Sequence, residues 1–155
     1  MANASHFIFY VADQARSDRL LEVFAYAVRR HGVTHAVIDS LMMLADVPEE
    51  GRGALEAQRQ FMVALAAFAK RHRVHVHLVA HPRKAEDERR APGKQDVAGS
   101  GKITSLADNH FSVWMQSLAE GDTGPDSKLE LNKQRNGDEQ HHELWLWFDV
   151  ASKQH

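Results

Sequence analysis

The 155 residues suit one domain: 43% are hydrophobic, enough for a core, and no apolar run is long enough to span a membrane. There are no cysteines, which excludes disulfides and thiolate metal sites, and the opening residues lack a charged start followed by an apolar stretch, so the expected setting is cytoplasmic. A formal net charge of -2 excludes a wholesale basic surface, so any nucleic-acid contact must be local, while the 11 histidines leave the charge near neutrality dependent on pH.

Residues 6–11, HFIFYV, are β-branched and aromatic and predict a buried strand. Ser17 is placed to cap a helix whose apolar positions Leu20, Leu21, Phe24, Ala27 and Val28 share one face, and Gly32 supplies its stop. A short apolar strand, Ala36 to Ile38, then runs into Asp39 and Ser40. Strand, helix and strand make a βαβ unit, which predicts parallel strands in a sheet buried on both faces. An acid just past a buried strand is where a Walker B element holds Mg²⁺ or its water beside a nucleotide. The same placement also serves an Asp that merely opens a loop or caps a helix.

Residues 45–53 carry Pro and Gly and predict a loop; a long helix follows to about Arg73, with Phe61, Met62, Leu65, Phe68 and Ala69 as its core stripe. The next strand, Val74 to Ala80, ends on His81. In open α/β sheets ligands sit outside the carboxyl ends of the strands, so Asp39 and His81 mark one candidate site. His72, His75, His77 and His81 also suggest a metal, since His75 and His77 share a strand face, but no carboxylate recurs at matching spacing and ordinary interface or core histidines fit as well.

Residues 82–98 mix charges of both signs with two prolines and no apolar period, which predicts an exposed, mobile loop. Its Arg83, Lys84, Arg89 and Arg90 suit phosphates, or simply keep a loop solvated. The stretch GSGKITSLADN (99–109) contains GSGK but is no P-loop. Asp96 stands where the first Gly is needed, and Ile103 where Ser or Thr should follow the lysine. Three β segments end the chain, His110 to Met115, Lys128 to Asn132 and Leu144 to Phe148, and predict a terminal antiparallel hairpin. In KQRNG (133–137), Lys133 and Arg135 alternate onto one side of a strand end before an Asn-Gly turn. Trp145 and Trp147 alternate with leucines, giving one packed face and one facing solvent or a partner.

Taken together, HAVIDSL, HLVAHPRK, GSGKITSLADN and KQRNGD resemble, in order and spacing, the Walker B strand, phosphate-sensing strand, DNA-binding loop and arginine-finger element of DnaB-type ring-shaped replicative DNA helicases, a RecA-like family that includes phage and mitochondrial primase-helicases. The resemblance covers the carboxy-terminal part of that ATPase domain. It implies a P-loop NTPase fold of the α/β class: a largely parallel sheet flanked by helices, with a C-terminal antiparallel hairpin, all 155 residues forming one partial RecA-like domain. It assigns Asp39, with Ser40 beside it, to Mg²⁺ through water and to ATP. His81 becomes the γ-phosphate sensor, and Arg135, helped by Lys133, the finger reaching a neighbouring subunit's nucleotide. Arg83, Lys84, Gly99, Ser100, Gly101 and Lys102 become the single-stranded DNA contacts lining the channel of a hexameric ring.

In that family the Walker A loop and catalytic glutamate precede the strand that here comes first. The expectations are therefore no tight ATP binding and no hydrolysis by this chain alone, and a sheet with either a gap or a rearrangement where a central strand would lie. A rival reading keeps the same descent but makes the chain a non-catalytic RecA-like domain that binds DNA or a partner protein. A GxxxxGK[ST] pattern in the reading frame immediately upstream would separate the two.

Overall fold

The apolar stripe that predicts the first helix is the stripe it buries. Helix α1 (Ser17–His31) turns Leu20, Phe24 and Ala27 inward, with Leu21 and Val28 packed at the margin, and ends at Gly32 with φ 65. A left-handed residue there costs least in glycine, and its N–H closes the helix on the Val28 carbonyl at 3.0 Å. The start of α1 differs from expectation: Ser17 is its first residue, and Arg16 before it makes no side-chain cap bond. The cap comes instead from Asp46, whose carboxylate accepts the Ser17 amide at 2.8 Å and the Ser17 hydroxyl at 2.7 Å. Burial alone would raise the Asp46 pKa, but these two bonds, its own amide and the Arg16 charge outweigh it, and the net shift is downward.

The computed structural model describes residues 15–48, 51–81, 101–115, 124–137, 142–149 and 151–152. The strand expected at 6–11 and the loop after His81 lie outside the described residues.

Strands β1 (His35–Ile38) and β2 (His75–Leu78) pair parallel and in register, joined through a single 3₁₀ turn (Leu41–Met43) and the long helix α2 (Ala54–His72). Phe61, Met62, Leu65 and Phe68 of α2 meet Leu20 and Phe24 of α1 and Ala36 and Ile38 of β1 in one core. Burying each such side chain fully is worth about 1.5–3 kcal/mol before the entropy of ordering it is set against the gain. The expectation of a sheet covered on both faces fails among the described residues. His35, Val37, His75 and His77 share the face opposite the core and are exposed, because both described helices that pack the pair lie on the other side. On that face His35 Nδ1 and His77 Nε2 are 3.1 Å apart, and the His75 ring lies against both. Desolvation first, then the neighbouring His75 and His35, lower the His77 pKa. Among the described residues no group of three or more His, Cys, Asp or Glu is placed to hold a metal ion.

The GSGK stretch is not a loop throughout. Its second half forms a short helix, α3 (Gly101–Leu106), because Ile103 and Leu106, three apart, both reach the core, Ile103 being only 5% exposed. Beyond it, β3 (Asn109–Met115), β4 (Ser127–Gln134) and β5 (His142–Leu146) form an antiparallel sheet. The expected hairpin is thus a three-stranded sheet, with Phe111 opposite Leu131 and Leu129 opposite Leu144. Its polar face is tied by Asn132 donating to Ser112 Oγ at 2.7 Å and by Lys128 between Glu143 at 2.6 Å and Glu130 at 3.4 Å. Lys128 also stands over the Trp145 ring. Among the described residues the parallel pair and the antiparallel sheet share no ladder, so the sheet is less parallel than expected, with two strands in one arrangement and three in the other. No helix among the described residues is long and apolar enough to cross a membrane.

Candidate functional site

The first candidate locus is the carboxyl edge of the parallel pair. Ile38 is paired with Leu78, and beyond the strands the Val79 amide donates to the Ile38 carbonyl and the Leu41 amide to the Val79 carbonyl, both at 2.9 Å. These bonds carry the register past the strand ends, so Asp39 falls opposite Val79, two residues before His81. Asp39 and His81 are both exposed at this edge, whereas Ser40 is buried, 5% exposed, and follows a cis peptide bond from Asp39. An exposed carboxylate is a hard oxygen donor suited to Mg²⁺, and an exposed imidazole can present an N–H to a phosphate oxygen. The two strand tips thus lie at one edge, and Ser40 is set behind them.

The second locus joins two motifs that sequence reasoning treated separately. Lys133, near the end of β4, places its ammonium 2.9 Å from the Thr104 carbonyl and 2.8 Å from those of Ser105 and Ala107. These are the terminal carbonyls of α3, groups that a helix end leaves without intrahelical partners. Arg135 donates through its backbone amide to the Asp108 carbonyl at 2.9 Å, through Nη2 to the Ser105 carbonyl at 3.1 Å, and through Nη1 to Asp108 Oδ1 at 2.8 Å. Lys133 and Arg135 do share one side of the strand end, and that side faces α3. The Arg135 side chain remains 44% exposed and its Asp108 partner 58%.

Arg83, Lys84, Gly99 and Ser100 lie outside the described residues. Gly101 and Lys102 begin α3. Sequence reasoning missed Asp108 and the α3 carbonyls as partners of the two cations. The available signal was the apolar pair Ile103 and Leu106, which marks a helical turn ending just where cations from a strand could reach it.

No protein-family model matches the chain. A curated relative, the Twinkle homolog protein, chloroplastic/mitochondrial, of Arabidopsis thaliana, is 30% identical over 97 residues, covering 62% of this chain and 14% of the relative. Among solved structures, the chain matches the ATPase domain of a DnaB-like helicase with a TM-score of 0.68 at 16% identity, over 91% of this chain and 54% of the other. The fold is thus that of a RecA-like ATPase domain. Sequence and fold together bear out the resemblance to the DnaB-type helicase domain read from the four motifs, and place the chain with replicative-helicase-related domains. The chain spans about a seventh of the curated relative and about half of the solved domain, 14% and 54% respectively. The relative's name gives the cytoplasmic expectation no support.

Proposed function

We propose that the chain is the carboxy-terminal part of the ATPase domain of a replicative DNA helicase, one that unwinds DNA at the expense of ATP when complete and assembled as a hexameric ring. The observation that carries this reading is the in-register parallel pairing of β1 and β2, which sets Asp39 and His81 side by side at the edge where α/β sheets take ligands. In this reading Asp39 holds Mg²⁺ through water and His81 reads the γ-phosphate. Arg135 answers the phosphate of a neighbouring subunit. Bound Mg²⁺–ATP supplies the transferable phosphoryl group and part of the charge neutralisation. The residues of this chain contribute positioning and countercharge, and the chain alone is inactive.

Single-stranded DNA is assigned to the channel side, at Arg83 and Lys84 and at Gly99 to Lys102. Small residues there permit close backbone approach and the cations contact phosphates without reading bases. The test is DNA-stimulated ATP hydrolysis by the complete protein. Asp39→Asn should abolish it while the ring still assembles. A complete protein that binds single strands but never hydrolyses ATP would favour a non-catalytic DNA-binding or partner-binding domain of the same descent.

A further inference from the structure

Lys133 and Arg135 are two residues apart on one strand, yet they meet α3 on different terms. The three ammonium protons of a lysine match the three carbonyls that surround Lys133 at 2.8–2.9 Å, from Thr104, Ser105 and Ala107. To reach a phosphate elsewhere, Lys133 would have to abandon all three and leave the end of α3 without donors for its carbonyls. Arg135 is held by one carbonyl and one exposed carboxylate, so its guanidinium can exchange Asp108 for another anion at little cost. On its other side α3 is pinned into the core through Ile103. The contacts therefore run unbroken from the α2 core through Ile103 and α3 to Lys133, and along β4 to Arg135.

We propose that Lys133 is a positioning residue that locks the helix bearing Gly101 and Lys102 to the strand bearing Arg135, so that single-strand contact on the helix and phosphate engagement by the arginine move as one body. The proposal deepens the helicase reading and rests on it for its ligands. It gives Lys133 a task other than helping the finger at the nucleotide. A charge-assisted bond to each of three carbonyls makes the joint stiff, and a stiff joint transmits displacement between two sites without a contact from either ligand to Lys133.

The test is amide hydrogen exchange on the whole chain, with and without labelled oligo(dT), for wild type, Lys133→Met and Lys133→Arg. In wild type, oligo(dT) should slow exchange both at 101–108 and at 131–135. In Lys133→Met the protection should be confined to 101–108, and Lys133→Arg, which restores donors, should return it to both. A Lys133→Met chain still protected at both segments overturns the proposal. So does one whose binding weakens with a salt slope lower by about one while exchange at 101–108 is unchanged, because Lys133 would then be touching phosphate directly. If the wild type binds no oligo(dT), the nucleic-acid reading fails by itself, and the joint is judged without ligand: Lys133→Met should speed exchange at 104–108 by at least about tenfold, and equal exchange sinks it. Should Lys133→Met not fold, the wild-type ammonium decides. Held by three carbonyls, its protons resist exchange with water and give their own ¹H–¹⁵N signal, and absence of that signal contradicts the joint.

Discussion

Arg135 Nη1 lies 2.8 Å from Asp108 Oδ1, with 44% of the arginine side chain and 58% of the aspartate exposed. An ion pair so open to water contributes about 0.5 kcal/mol or less to folding. Arg135→Ala should therefore leave the urea midpoint of the chain almost unchanged, while DNA-stimulated ATP hydrolysis by the complete ring falls by about a thousandfold, as when a finger is removed. Equal losses of stability and activity would mean that the arginine holds the fold and nothing more.

Asp46 accepts two bonds from Ser17 across 29 residues of sequence, and its substitution should be felt at the start of α1. Asp46→Asn should cost about 1 kcal/mol in chemical denaturation, the size of a lost helix cap. The folded-state pKa of Asp46 is lowered from its ordinary 3.8, so its contribution is present above that value and is lost as pH falls through the folded-state pKa. The gap between wild type and Asp46→Asn should accordingly be full near about pH 6 and close on acidification below the lowered value.

His77 should titrate below its ordinary 6.5 in the folded chain, because its ring is desolvated and His75 and His35 stand beside it. The unfolded chain then takes up the proton first. Stability from this residue is present above 6.5 and lost as pH falls through the folded-state pKa. NMR titration should show the low midpoint, and His35→Gln should move it back toward the ordinary value. A midpoint indifferent to His35 would assign the shift to desolvation and His75 alone.

Much of this was legible in the residues themselves. The stripes Leu20–Phe24–Ala27 and Phe61–Leu65–Phe68 have the helical period and are the buried faces, and the apolar runs ending at Asp39 and His81 are the two parallel strands. What periodicity could not give was contact between distant polar groups. Asp46 reaching Ser17, and Lys133 reaching the end of α3, are long-range bonds whose partners are a side chain in a loop and three backbone carbonyls, and backbone carbonyls leave no mark in a sequence. The exposed histidine face escaped notice for a related reason: the βαβ pattern implies two covering layers, while alternation of His35 with Ala36 and of His75 with Val76 implies one.

Binding of single strands by the isolated chain should be weak and steeply salt-dependent, since few phosphates are neutralised and no ring multiplies the contacts. In fluorescence anisotropy the combined variant Arg83→Ala, Lys84→Ala and Lys102→Ala should lose most of the signal. Unchanged binding would move the contact surface elsewhere, with exposed Trp145 and Trp147 the next residues to substitute.

The central claim, that this chain belongs in a ring where one subunit's arginine serves the next subunit's nucleotide, is tested most directly by mixing. Complete subunits carrying Arg135→Ala are titrated into rings whose other subunits keep Arg135 but have Asp39→Asn, and DNA-stimulated ATP hydrolysis is followed. Each parent ring should be inactive, and the mixture should recover activity wherever an intact Asp39 faces a neighbour's Arg135. Mixed rings as inactive as both parents would show that the two residues act within one subunit, and would contradict the account.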